Sequence, residues 1–154
     1  MLKIVEVDFN NHQHTEALLH LISQFAESEF GRQARLISIE SDRIISGLKD
    51  FPLKEIFLAE KDKEFIGVAI CFWEFSIFSG KKMLRIHDVY VPLAFRRIGV
   101  GNQLIERCIQ RARENDCSFV NIEVDLKNHP AITLYERKGF IDWISPTKYL
   151  ELKL

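Results

Sequence analysis

Asp88-Val89-Tyr90-Val91-Pro92-Leu93-Ala94-Phe95-Arg96-Arg97-Ile98-Gly99-Val100-Gly101 is the stretch whose reading decides the fold. Upstream of the turn, Leu84 to Val91 is apolar at nearly every second position and β-branched towards its end, which predicts a buried strand. Downstream, Val100, Leu104, Ile105, Cys108, Ile109 and Ala112 recur at helical spacing and predict a helix from about Gly99 to Asn115. Between them lies a short turn with two arginines and two glycines. Such a turn leaves backbone N–H groups unpaired at the helix start, with no Cβ at Gly99 or Gly101 to hold a ligand away. A phosphate suits that place: amide donors, the positive end of the helix dipole and guanidinium groups beside it. The alternative is a bare strand-to-helix turn with surface arginines.

Two phosphate loops are excluded. A Walker A loop needs Gly-Lys-Ser/Thr after the glycines, whereas Asn102-Gln103 follows Gly101. A dinucleotide fingerprint needs a third glycine where Leu104 stands. What remains is Arg-x-x-Gly-x-Gly, formed by Arg96, Gly99 and Gly101.

Outward from this centre, Leu2, Ile4 and Val7 predict a first strand. A helix follows, with Leu18, Leu21, Ile22, Phe25 and Ala26 on one face and Thr15 as N-cap, fraying near Phe30-Gly31. A shorter helix is expected over 38–50, capped by Ser38, with Ile44, Ile45 and Leu48 as its apolar face and Pro52 blocking its continuation. Phe30 to Pro52 is the segment expected to shape a substrate, since loops and short helices carry specificity on rigid scaffolds. Glu55 to Glu60 and Phe65 to Phe75 read as strands joined by Lys61-Asp62-Lys63, with Gly67 at a bulge. Ser79-Gly80-Lys81 turns the chain into the strand at 84–91, and the helix after it crosses to a parallel strand at Ser118 to Val124. The result is an α+β single domain over residues 1–154.

A second signature lies at Asn128-His129-Pro130-Ala131-Ile132-Thr133-Leu134-Tyr135-Glu136-Arg137-Lys138-Gly139-Phe140. Asn128 can cap a helix, Pro130 fits its first turn and Gly139 supplies a left-handed stop. Asn128 and Tyr135 are seven residues apart, so they share a face at a separation of about 10 Å. Taken alone, Tyr135 is equally an ordinary half-buried core aromatic.

The two motifs in this order resemble those of the GNAT N-acetyltransferases: the first their acetyl-CoA pyrophosphate loop, the second their next conserved helix. Together the resemblances cover about residues 84 to 144. They imply a mixed, mostly antiparallel central sheet flanked by helices, with a splayed parallel strand pair whose wedge admits the acyl thioester. They assign the pyrophosphate of acetyl-CoA to Arg96, Arg97, Ile98, Gly99, Val100, Gly101 and Asn102. They give the pantetheine arm to the strand Val89-Tyr90-Val91, place Asn128 near that arm and make Tyr135 the acid to the departing thiolate. Many family members have glycine directly after the first arginine; this chain has Arg97.

Composition sets outer limits. The 154 residues carry a net charge of about −1, which gives neither a nucleic acid nor an anionic membrane bulk electrostatic support. Cys71, Cys108 and Cys117 lack metal-ligand spacing and sit in apolar patterns, so they read as reduced core thiols of a cytoplasmic protein, with no metal. No transmembrane-length apolar run is present. A homodimer follows from the family resemblance alone.

Acetyl transfer to an amine needs a neutral nucleophile and a protonated leaving group. An alkyl amine of pKa ~10.4 costs about 4–5 kcal/mol to deprotonate at pH 7, an α-amino group of pKa ~8 only about 1–1.5 kcal/mol. Three residues are candidates for the base or its relay. Glu123, in Ile-Glu-Val-x-x-x-Asn-x-x-Ala-Ile, resembles the glutamate of ribosomal-protein N-terminal acetyltransferases. His87 and Asp88 should face opposite sides of their strand unless a bulge turns them. Phe-Ser-x-Phe-Ser-Gly-Lys-Lys at Phe75 to Lys82, with Asp88, resembles diamine acetyltransferases, which carry a carboxylate where this chain has His87. The structural alternatives are a solvated Glu123, a backbone-bonded Asp88 and a satisfied core His87. No cysteine shows base-adjacent spacing, so direct attack on the thioester by a small-molecule primary amine is the expectation. A protein or peptide N-terminal amine is the second acceptor class, and a silent acyl-CoA sensor the reading from a different functional class.

Overall fold

Period-two runs between residues 54 and 90 build a meander, and the helices cover its two faces. The computed structural model describes residues 1–142 and 150–153, so positions 143 and 144 of the family-like stretch lie outside the described residues. In chain order come β1 (Leu2–Glu6), α1 (His12–Glu27), α2 (Ser38–Asp50), β2 (Lys54–Lys61), β3 (Glu64–Ser76) and β4 (Lys81–Tyr90). A 3₁₀ turn at Leu93–Phe95 leads into α3 (Val100–Glu114), followed by β5 (Val120–Ile122) and α4 (His129–Arg137). The five strands lie in the order β1-β2-β3-β4-β5. All neighbours are antiparallel except β4 and β5, which run parallel. The mixed, mostly antiparallel α+β sheet is the one expected from the chain.

Two cores result. Phe57, Ala59, Ala69, Cys71, Leu84 and Ile86 on one sheet face meet Val100, Leu104, Ile105, Cys108 and Ala112 of α3 and Tyr135 of α4. Ile56, Leu58, Val68 and Ile70 on the other meet Leu18 and Leu21 of α1, with Ile45 and Leu48 of α2 packed alongside.

Local details depart from expectation at both helix starts. Asn11, not Thr15, caps α1: the Gln13 N–H donates to Asn11 Oδ1 at 3.0 Å, while the Thr15 hydroxyl donates to the His12 carbonyl. Asn11 outbids Thr15 because its carboxamide sits where the chain is still extended. Ser38 is already helical; Ile37 stands at the cap, and the Glu40 carboxylate accepts from its N–H at 2.9 Å. The β2–β3 turn takes left-handed conformations at Asp62 and Lys63, which suits a tight hairpin.

Gly67 pairs with Ala59 in register, and the shift lies beside it, between Ala59 and Glu60. Its lack of a side chain has a packing reason: a Cβ there would lie 2.9 Å from Val100 Cγ1 and 3.2 Å from Leu104 Cδ1. The first turn of α3 is therefore seated directly on the β3 backbone. Gly67→Val is expected to lower stability by about 1–3 kcal/mol through overpacking, read as a reduced urea midpoint. An unchanged midpoint would show that α3 does not rest on Gly67.

Candidate active site

The site begins where two strands part. β4 and β5 pair only at Leu84↔Val120, Arg85↔Asn121 and Ile86↔Ile122. β4 continues to Tyr90, whereas β5 ends at Ile122, so the backbone from His87 onward has lost its β5 partner. Unpaired edge groups of this kind need a hydrogen-bonding partner.

The parting coincides with a bulge. Ile70 pairs with Asp88 and Cys71 with Ile86, leaving His87 as the extra residue. A bulge re-aims side chains, and here it brings His87 and Asp88 together: His87 Nδ1 and Asp88 Oδ2 are 2.7 Å apart. The hydrogen bond to Asp88 raises the His87 pKa above its ordinary 6.5, opposed by partial burial. Edge-on contact with Phe72, at 5.4 Å between ring centroids, fixes the imidazole from the sheet side.

Glu123, just beyond β5, accepts from Arg85 Nη2 at 2.8 Å and is otherwise exposed. The two carboxylates of the wedge are thus each held by a basic side chain, Asp88 by His87 and Glu123 by Arg85.

Past Tyr90 the chain turns through Pro92 into the arginine–glycine loop. Val89 and Val91 pack against the core under α3, and Tyr90 packs on the opposite face with Phe25 at 5.6 Å. Arg96 Nε donates to the Val91 carbonyl at 2.9 Å and so closes the turn. Arg96, Arg97, Ile98 and Gly99 are exposed, whereas the Val100 side chain is buried and anchors the helix. Gly99 is left-handed, with φ of 90°, and caps α3 without any side-chain hydrogen bond. The first-turn amides of α3 therefore face outward with no protein cap. A Cβ at Gly99 would point into open space, while one at Gly101 would meet Leu134 Cδ2 at 3.4 Å in ordinary contact. Gly101 thus faces α4, and the steric opening to a ligand lies at Gly99.

Asn128 caps α4, accepting from the Ala131 N–H at 3.3 Å, and Gly139 ends the helix region in a left-handed conformation. Tyr135, on α4 beside α3, is 9% exposed, and burial pushes its phenol up to about 12. Cys71 and Cys108 are buried with sulfurs 3.5 Å apart, which with burial raises the Cys71 pKa well above that of a free thiol.

A mixed central sheet parted along its one parallel pair, with an uncapped helix start at the parting, defines an α+β architecture. Solved structures share the architecture. A probable acetyltransferase superimposes with a TM-score of 0.82 at 23% identity, covering 99% of this chain and 97% of that one. A metagenomic aminoglycoside acetyltransferase solved with sisomicin gives 0.80 at 20% identity over 99% and 97%. A model of the acetyltransferase (GNAT) family matches residues 15–140, and the chain belongs to that family. An N-alpha-acetyltransferase of Sulfurisphaera tokodaii is 30% identical over 144 residues, covering 76% of this chain and 86% of the relative. Human spermidine/spermine N(1)-acetyltransferase-like protein 1 is 26% identical over 153 residues, 92% of this chain. The chain spans only 22% of that human protein's length and 31% of a Xenopus laevis N-alpha-acetyltransferase that it also matches. Among the described residues no helix is long and apolar enough to cross a membrane.

The loop's one departure from its family pattern carries a conformational cost. Arg97 is left-handed, with φ of 64°, a region that costs a non-glycine residue roughly 1–2 kcal/mol. Arg97→Gly removes that strain but adds unfolded-chain entropy worth about 0.4–1 kcal/mol. Stability is expected to rise by about 1 kcal/mol or less in denaturant titration. A fall would show that the Arg97 side chain itself holds the loop.

Proposed function

We propose that this chain is an acetyl-CoA-dependent N-acetyltransferase that acetylates the primary amine of a small molecule by direct attack on the thioester. The observation that carries it is the uncapped, outward-facing start of α3, with Gly99 open and Arg96 and Arg97 exposed beside it, at the mouth of the β4–β5 wedge. GNAT acetyltransferases use acetyl-CoA as co-substrate, and these groups suit its diphosphate. Amides and the helix dipole meet the negative charge without a competing carboxylate cap, and guanidinium groups add paired donors.

When bound, acetyl-CoA would supply an activated acetyl group on a thiol leaving group, which takes its proton from solvent; the chain's residues position the reactants and remove the amine's proton. Arg96 through Asn102 hold the diphosphate. The Val89-Tyr90-Val91 backbone, paired with β3 through Val89 and Tyr90 but without a β5 partner, would accept the pantetheine arm as a strand does, with the Val91 carbonyl already engaged by Arg96. The oxygen of Asn128 is occupied by its cap, which leaves Nδ2 to face the arm. Tyr135 stays protonated at neutral pH. A phenol near 12 is a weaker acid than a thiol of ~8.5, so Tyr135 steadies the leaving sulfur with a hydrogen bond rather than handing over its proton. His87, oriented by Asp88, takes the proton from the attacking amine. Glu123 is the poorer base because Arg85 occupies one of its oxygens. A covalent acyl-cysteine route lacks a nucleophile at the wedge, since Cys71 and Cys108 lie buried against each other and Cys117 follows the far end of α3.

A second reading, acetylation of protein N-termini, is favoured by the Sulfurisphaera tokodaii N-alpha-acetyltransferase, which matches most of this chain. The lower deprotonation cost of an α-amino group fits a single histidine base.

Two measurements test the scheme. Arg96→Ala combined with Ile98→Glu removes a donor and sets a carboxylate beside the amides, both at exposed positions. Calorimetry should show acetyl-CoA affinity falling about tenfold or more, some 1.4 kcal/mol; unchanged affinity would end the loop assignment. For the base, kcat/KM should climb as pH rises through the His87 pKa, which lies above 6.5, because only neutral imidazole accepts a proton. His87→Gln should flatten that acidic limb, and an unaltered profile would remove His87 from the reaction.

A further inference from the structure

We infer that the acceptor is a monoamine carrying an apolar, preferably flat, group close to its nitrogen, and that Phe51 and Phe72 select it. This rests on the acetyltransferase reading above and names the substrate class for the same site. Helices α3 and α4 fill one face of the wedge, so an amine reaches the thioester from the α1–α2 face. That face carries His87, Asp88 and the Arg85–Glu123 pair.

From His87 an aromatic strip leads away from the wedge. The His87 and Phe72 rings meet edge-on at 5.4 Å, and Phe72 and Phe51 meet edge-on at 5.4 Å. Phe51, at the end of α2, remains 44% exposed although it packs edge-on against Phe72. A flat apolar group lying on this strip gains buried area and edge-to-face contact, with its nitrogen at the His87–Asp88 end.

The charges along the strip argue against polycations. Glu123 is paired with the permanent cation of Arg85, and Asp88 faces His87, so with a neutral imidazole a single carboxylate is left to meet a single ammonium. Lys54, opposite Phe72 in register, closes the far end, its ammonium donating to the carbonyls of Phe51 at 2.7 Å and Lys49 at 2.9 Å. A second ammonium extending along the strip would meet Lys54. The closest further carboxylate on β3, Glu74, lies two residues beyond Phe72, about 7 Å further from the wedge.

The shared chemistry, an apolar group beside a primary amine, occurs in arylalkylamines and in peptides that begin with a hydrophobic residue. The test measures thiol release from acetyl-CoA with 2-phenylethylamine, ethylamine, a Phe-initiated tetrapeptide, spermidine and tobramycin, alongside calorimetric binding of acetyl-CoA. The expected result is a kcat/KM for phenylethylamine or the tetrapeptide at least about tenfold above spermidine and tobramycin, the better of the two naming the source. Phe51→Ala should lower that value about tenfold while leaving ethylamine turnover and acetyl-CoA affinity unchanged, and Phe51→Trp should restore it. Preference for spermidine or tobramycin, or a Phe51→Ala variant that keeps the kcat/KM for phenylethylamine and the tetrapeptide unchanged, overturns the inference and leaves the acetyltransferase reading standing. Thiol release with none of the amines overturns both.

Discussion

The structure depends on a parallel strand pair that stops early. β4 and β5 share three register positions and then part, while β4 keeps its antiparallel partner β3 up to Tyr90. One side of β4 is thereby satisfied and the other is left with donors and acceptors facing a gap. A sheet normally closes such a gap, since an unpaired backbone group buried away from water costs about as much as a lost hydrogen bond. Here the bulge at His87 falls at the same level, so the gap opens where two polar side chains are turned together.

Holding that gap open requires α3 to be fixed independently of β5, and apolar packing does so. Val100, Leu104 and Ile105 are essentially fully buried, worth about 1.5–3 kcal/mol apiece, and Val100 rests on the bare backbone of Gly67. At the other end of α3, Arg111 reaches Glu6 and Glu55 and lies over the Phe57 ring. This network contributes less. Burial raises the Glu55 pKa despite Arg111 nearby, and the Arg111–Glu55 contact of 3.4 Å makes no hydrogen bond, leaving Glu55 Oε2 and Arg111 Nε unsatisfied. Desolvation offsets attraction in such a pair. The ions orient the helix; the core holds it.

What was legible in the sequence was whatever local chemistry encodes. Gly139 adopts the left-handed conformation its position suggested, and Asn128 caps its helix as read. The cap of α1 was misread because Asn11 and Thr15 both offer a suitable oxygen, and only the direction of the incoming chain separates them. That of α2 was misread because Glu40 works backwards from inside the helix. Features set by register were out of reach. The Arg85–Glu123 pair spans two strands, and the Phe51–Phe72–His87 strip joins a helix end to two strands. The left-handed Arg97 left one trace, the glycine common at that place in similar sequences. The bulge was the intermediate case: adjacent His87 and Asp88 would face apart on a regular strand, so only an irregular one could unite them.

That irregularity also separates the proposed base from the other acid–base pair at the wedge. Both pairs at the wedge join a carboxylate to a basic partner, yet they are not equivalent. In Arg85–Glu123 the cation is permanent, and it takes up one of the carboxylate oxygens at 2.8 Å. In His87–Asp88 the partner is itself the titrating group. Asp88 favours the protonated imidazole, so it strengthens His87 as a base while holding the ring in place. Of the two, only the pair created by the bulge, beside the parted strands, holds a side chain whose proton uptake its partner favours.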